Sequence, residues 1–170
     1  MSHPSLAVSE VTLSPGEYFV GDAGWRVRTL LGSCVAITIW DPRRRVGAMS
    51  HYLLASRRGR SGDGQLDGRY GDEALQLMAS GLAAVGVNLR ECQAQVLGGG
   101  NMFPSQALSM RVGQTNGQAA RAMLQELGVP IHHEDLFGAG HRQVVFDVAT
   151  GRVSVHRVPL SVQARQKSRG

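Results

Sequence analysis

The 170-residue chain contains only two cysteines, Cys34 and Cys92. Two thiols cannot build the disulfide framework of a small secreted scaffold, and their scarcity fits a reducing, cytoplasmic setting. No apolar run approaches the roughly 20 residues of a membrane-spanning helix, so membrane insertion is not expected. The segment Met1 to Val8 lacks the basic and then long apolar pattern of a secretory signal. Aromatic residues make up 5% of the chain. None is interleaved with the basic clusters, which removes the stacking platforms used by single-strand nucleic-acid binders. Helix-turn-helix and zinc-finger patterns are absent as well.

Glycine and positive charge are what the chain has in quantity. Its 22 glycines imply many tight turns, and its formal net charge is +5. The arginines gather in Arg43-Arg44-Arg45, in Arg57-Arg58-Gly59-Arg60 and in the tail Arg165-Gln166-Lys167-Ser168-Arg169. The first two runs read as turns and the third as a frayed end. A solvated basic surface is the reading we adopt, with no nucleic-acid partner and with attraction to an acidic protein left open. A hydrophobic share of 42% suffices for one domain with a true core. We expect residues 1–160 to form that single domain and residues 161–170 a disordered basic tail.

Residues 1–16 are polar and end in the turn Ser14-Pro15-Gly16. Short strands are predicted over 17–20 and 25–30, and longer ones over 35–40 and 46–54. The Gly-, Arg- and Ser-rich stretch Ser56 to Gly71 reads as a long surface loop, a kind of segment that is often functional. A helix capped by Asp72 follows, with Leu75, Met78, Leu82 and Val85 on its inner face and Gly86 as its stop. Another strand covers 93–97. A second helix begins near Asn116, with Ala119, Ala120, Met123, Leu124 and Leu127 inward, and ends at Gly128 and Pro130. Strands over 130–137, 142–148 and 152–158 close the chain, the last two as a hairpin through Ala149-Thr150-Gly151. Helices are too few for regular β-α-β winding. The predicted class is α/β of the α+β type: mixed, mainly antiparallel β-sheets packed in layers with two or three flanking α-helices.

Chemistry centres on Leu31-Gly32-Ser33-Cys34 and the β-type run that follows it. Period-2 alternation puts Val35, Ile37 and Ile39 on a core face, and Cys34, Ala36 and Thr38 on a second, smaller face with room beside the sulfur. His51 lies seventeen residues on, in the next strand, and a hairpin through Asp41-Pro42 brings it alongside Cys34. A histidine can take the proton of a thiol and so make a nucleophile. A cysteine is also a small core residue, and a strand histidine is commonly structural. Spacing alone leaves the two readings open.

Other candidates are weaker. Cys92 has no local partner pattern and reads as structural. Trp40, six residues after Cys34, excludes a tyrosine-phosphatase loop, which needs arginine there. Gly98-Gly99-Gly100-Asn101 lacks the Gly-Lys-Ser/Thr ending of a phosphate loop and reads as a tight turn that lines a site. His132-His133-Glu134-Asp135 with His141 matches no zinc spacing, and adjacent strand residues point to opposite faces. No metal is expected.

Taken together, several segments resemble the CheD family, the chemoreceptor glutamine deamidases of chemotaxis. They are Leu31 to Ala36, Asp41-Pro42, Val46 to His51, Tyr70 to Ala74 and Gly98 to Phe103, with Glu134-Asp135 and the 138–145 stretch. The resemblance spans roughly residues 15–160. It implies a cysteine nucleophile at Cys34 and a histidine at His51. The third family member is a threonine on the preceding strand, six residues before the cysteine in some members. That position here is Arg28, whereas Thr29 stands five before, and a one-residue slip on a strand reverses the side chain. Either the turn is one residue shorter and Thr29 serves, or backbone fills the role. Ser33, Gly32 and Asn101 are carried as oxyanion or site-lining positions. The implied partners are the cytoplasmic helices of methyl-accepting chemoreceptors and, in some members, a CheC-type phosphatase. No cofactor is implied.

Two rivals follow from the same residues. One is a regulatory binding module with little or no turnover. The other is transglutamination, in which an amine replaces water at the acyl-enzyme.

Overall fold

The computed structural model describes residues 7–57 and 64–160. The expected tail and residues 58–63 of the predicted 56–71 loop therefore lie outside the described residues. Nine strands and two helices run in the order β1 (Ser9–Leu13), β2 (Tyr18–Gly21), β3 (Trp25–Leu31), β4 (Val35–Asp41), β5 (Val46–Ser50), α1 (Gly71–Ala84), β6 (Gln93–Gly98), α2 (Ala107–Leu127), β7 (Ile131–Leu136), β8 (His141–Asp147) and β9 (Val153–Val158). A single 3-10 turn, Leu89–Glu91, precedes β6. One sheet has the order β1-β3-β8-β9 and the other β2-β5-β4-β6-β7. The β1–β3 and β6–β7 pairs are parallel and the rest antiparallel. This is the mixed, layered α+β architecture expected.

The two sheets stack, and both helices cover the outer face of the five-stranded one. Alternation along β4 explains how. Val35, Ile37 and Ile39 point toward the helices and pack with Leu75, Met78, Leu82, Ala120 and Leu124. Ala36 points the other way, into a second core between the sheets with Val27, Leu31, Leu97, Val144 and Phe146. Each fully buried aliphatic contributes about 1.5–3 kcal/mol. The face of Cys34, Ala36 and Thr38 is thus not open along its length. Ala36 and Thr38 are sealed by the opposing sheet, and only the turn end at Cys34 is half-buried.

Several boundaries differ from expectation. The polar N-terminal stretch contains β1, recruited as a parallel edge strand to β3. The strand through His51 ends at Ser50, and His51 begins an irregular stretch held by the Val35–Tyr52 bridge. Helix α1 starts at Gly71 with Tyr70 at its cap position, and Asp72 sits inside the first turn. Val85 is the residue that closes α1 and is exposed, not core. Helix α2 starts nine residues before Asn116. Gly128, with φ of 74°, ends it in the left-handed conformation that glycine adopts without strain.

Candidate active site

The chain leaves the four-stranded sheet at Leu31 and enters the five-stranded one at Val35, so Gly32-Ser33-Cys34 is the crossing between layers. Its three carbonyls are all engaged. Gly32 O accepts from Gly100 N and Cys34 O from Gly99 N, each at 2.9 Å. Ser33 O accepts from the side-chain amide of Asn116 at 3.1 Å. The glycine run after β6 makes this possible. Gly98 has φ of 111°, and a Cβ there would stand 2.3 Å from Cys34 O. The N–H of Ser33 has no acceptor among the described residues, and that of Cys34 has only its own sulfur.

His51 is fixed from the other side. Its N–H donates to Glu17 O at 3.1 Å and its carbonyl accepts from Gly16 N at 2.8 Å. The Val35–Tyr52 bridge makes Ala36 and His51 direct cross-strand partners, so Cys34 and His51 share one face as diagonal neighbours. Such neighbours have Cα atoms about 7–8 Å apart. No hydrogen bond joins the thiol to the imidazole among the described residues; what the structure does bring together is His51 and Thr29. Thr29 Oγ1 lies 2.6 Å from His51 Nδ1 and 2.8 Å from Leu13 O. A carbonyl only accepts, so the threonine proton goes to Leu13. Oγ1 must then accept from His51 Nδ1–H, which leaves Nε2 unprotonated and basic. Arg28 instead faces out and pairs with Glu10 at 3.1 Å. Thr29, five residues before Cys34, is the residue facing the histidine.

Burial sets the electrostatics. His51 is 2% exposed. Removal from water lowers its pKa from 6.5 to about 4, with Glu17 pulling weakly the other way. Burial also raises the Cys34 pKa, opposed by its own backbone N–H. Tyr52, fully buried, is pushed upward by burial and then by the proximity of Cys34. At neutral pH the thiol and imidazole are both uncharged.

Two clefts lie on this side of α2, and only the second is lined by a residue of the turn. One, of about 590 Å³, is lined by Leu54, Tyr70, Leu108, Arg111, Thr115 and Asn116 among others. The second, of about 250 Å³, runs over Ser33 between Met102, Phe103 and Leu108. Leu54, Phe103 and Leu108 are exposed on the rims.

Asn101, carried as a lining residue, is half-buried and hydrogen-bonded to α2. Its carboxamide oxygen accepts from Ser109 Oγ at 2.9 Å, tying the loop to the start of α2. Cys92 is buried in the helix-side core. His132 and His133 are exposed on β7, where Glu134 pairs with Arg121 and Asp135 with Arg142 and Arg157. Sequence reasoning missed Asn116 and Tyr52. The two glycines at 113 and 117 around Asn116 were the available signal, since glycine inside a helix often marks close approach. Here a Cβ on Gly113 would stand 2.4 Å from Gly99 O.

A family model described as CheD chemotactic sensory transduction matches residues 53–157. The chain is 51% identical over 161 residues to "Probable chemoreceptor glutamine deamidase CheD 2" of Albidiferax ferrireducens, covering 93% of this chain and 93% of that protein. It is 48% identical over 145 residues to "Probable chemoreceptor glutamine deamidase CheD 1" of Chromobacterium violaceum, covering 84% and 75%. It is 38% identical over 169 residues to a probable chemoreceptor glutamine deamidase CheD of Pseudomonas savastanoi pv. phaseolicola, covering 96% and 94%. The family-model match begins just after His51. The match to the Albidiferax protein leaves too few residues unmatched to exclude Thr29, Cys34 or His51.

Proposed function

The chain belongs to the CheD family, and from that premise we propose that it is a cysteine-dependent deamidase that converts glutamine side chains of chemoreceptors to glutamate. The observation that carries the mechanism is the Thr29–His51 contact, which fixes the imidazole tautomer with its basic nitrogen free. Cys34 is the nucleophile, His51 the general base and acid, and Thr29 the residue that orients His51.

A receptor glutamine enters with its carboxamide over the turn, and Cys34 rotates to meet His51 Nε2. Catalytic hydrogen bonds commonly tighten only when substrate is present. Because both groups rest uncharged, the thiol loses its proton to Nε2 as sulfur attacks the amide carbon. The C–S bond forms, and the carbonyl electron pair moves to oxygen. The N–H groups of Ser33 and Cys34, which among the described residues have no acceptor beyond the Cys34 sulfur, hold that oxyanion in this reading, with Gly32 giving the turn its close approach. His51 returns the proton to nitrogen, the C–N bond breaks, and ammonia leaves. Water then attacks the thioester with His51 as base, the C–S bond breaks, and sulfur regains its proton. Glutamine and water become glutamate and ammonia, with no cofactor or metal required at any step. General acid–base help is worth about 10²–10⁴-fold.

The exposed apolar rim of Leu54, Phe103 and Leu108 supports docking of an amphipathic receptor helix. The excess positive charge suits acidic helices. A cytoplasmic location follows from that substrate, and no helix among the described residues is long and apolar enough to cross a membrane. A CheC-type phosphatase is the second partner of this reading, sharing the same rim. Mass spectrometry of a purified chemoreceptor cytoplasmic fragment tests the activity. We expect a gain of about one dalton per converted glutamine, absent with Cys34→Ala; an unchanged rate in that variant removes Cys34 from the reaction. An amine adduct in place of the one-dalton gain would assign transglutamination instead.

A further inference from the structure

Asn116 is 1% exposed, lies in the interior of α2 and, besides its helix-backbone bonds, takes part in three hydrogen bonds. Its side-chain amide donates to Ser33 O at 3.1 Å and to Leu53 O at 2.8 Å. Its own carbonyl accepts from Tyr52 Oη at 2.6 Å. One carboxamide on a helix therefore grips the segment before the nucleophile and the segment two residues after His51. A buried asparagine in a helix interior costs propensity and desolvation, and an apolar residue would pack there more cheaply.

The chemistry of the trans peptide says what the grip does. Carbonyl and N–H of one peptide unit point in opposite directions. The Ser33 carbonyl belongs to the same unit as the Cys34 N–H. Holding Ser33 O against α2 therefore turns Cys34 N–H away from the helix, toward its own sulfur. The neighbouring carbonyls of Gly32 and Cys34 are held by the glycine loop, but among the described residues no backbone group holds Ser33 O. Among those residues Asn116 is what sets that plane.

We propose that Asn116 is a positioning residue: by tethering Ser33 O and Leu53 O it aims the Cys34 N–H at the oxyanion and keeps the nucleophile turn in register with the His51 segment. This rests on Cys34 being the nucleophile. It predicts a selective defect. Attack on an amide builds charge on oxygen, whereas alkylation of a thiol by iodoacetamide does not. Loss of the tether should slow the first and spare the second.

The test compares wild type, Cys34→Ala, Asn116→Ala and the milder Asn116→Ser, whose hydroxyl is too short to span both carbonyls. Ammonia release from a purified chemoreceptor cytoplasmic fragment, iodoacetamide alkylation at fixed pH and thermal melting are measured on each. The expected result is a fall of about 10²-fold in kcat for Asn116→Ala with KM unchanged, the size of effect that a misplaced catalytic group produces. Asn116→Ser falls between it and wild type, and Cys34 alkylation stays within about threefold in both, the margin we set for an intact turn. The proposal is overturned if kcat holds in the folded variants, or if alkylation falls in step with kcat, which would mean general loosening of the turn. Should Asn116→Ala fail to fold, Asn116→Ser alone decides by the same criteria. If Cys34→Ala retains the wild-type rate, the nucleophile assignment itself fails, an outcome separable from the failure of Asn116.

Discussion

Acid should destabilise this protein before its carboxylates titrate, and His51 is the reason. The ring is 2% exposed, and burial takes its pKa from 6.5 to about 4. Above pH 6.5 the ring is neutral in both folded and unfolded chains and has no pH-dependent effect. As pH falls from 6.5 toward 4, the unfolded chain binds a proton that the folded chain refuses, so stability declines through that window. A gap of this size gives a loss of about 2 kcal/mol by pH 5 and about 3 kcal/mol below pH 4. For a domain of this length the pH 5 loss lowers Tm by about 4–8 °C. Salt-bridged carboxylates such as Glu10 and Asp67, whose pKa values are lowered by Arg28 and Arg69, lose their contribution only at more acidic pH. Urea unfolding at pH 7.5, 6, 5 and 4.5 on wild type and His51→Gln isolates the effect as the difference between the two curves. Parallel curves, or a His51 proton resonance titrating near 6.5, would refute the burial argument.

Thr29→Val keeps shape and burial but removes the acceptor for His51 Nδ1–H. We expect kcat to drop by about 10²-fold with modest loss of stability, since the basic tautomer is no longer enforced, and steady-state kinetics on a receptor fragment would show it. Gly98→Ala drives a methyl group to 2.3 Å from Cys34 O at a φ of 111°. It should cost about 2 kcal/mol or more in urea unfolding and abolish turnover, whereas Gly64→Ala, with nothing near its Cβ, should leave turnover intact. Iodoacetamide alkylation of Cys34 should keep rising above pH 9, with no plateau between pH 5 and 8, because burial raises the thiol and no imidazolium sits beside it at rest; a neutral plateau would indicate a standing ion pair.

What could be read from the chain alone depended on how local its cause was. Alternation along β4, the β8–β9 hairpin and the amphipathic face of α1 are local patterns, and they appear where expected. The polar β1 was invisible because its strand character comes from pairing with β3, a contact across intervening chain. Helix α2 was misplaced for a related reason. Gly113, Asn116 and Gly117 are poor helix formers, and the sequence alone predicts a start only near Asn116. In the fold those residues are helical because they meet the glycine loop and the Ser33 turn. The choice between Arg28 and Thr29 could not be made from spacing. The pairing register of β3 sends Thr29 inward to His51 and Arg28 out to Glu10.

The Thr29–His51 contact joins two layers, since Thr29 belongs to β3 and His51 follows β5. Strand β3 in turn is framed by β8, which the ribosome makes more than a hundred residues after Cys34. A nascent chain thus carries Cys34 before the strand that pairs with β3 has been made. On the mechanism proposed above, a chain that stops before β8 would lack the strand that frames Thr29 against His51.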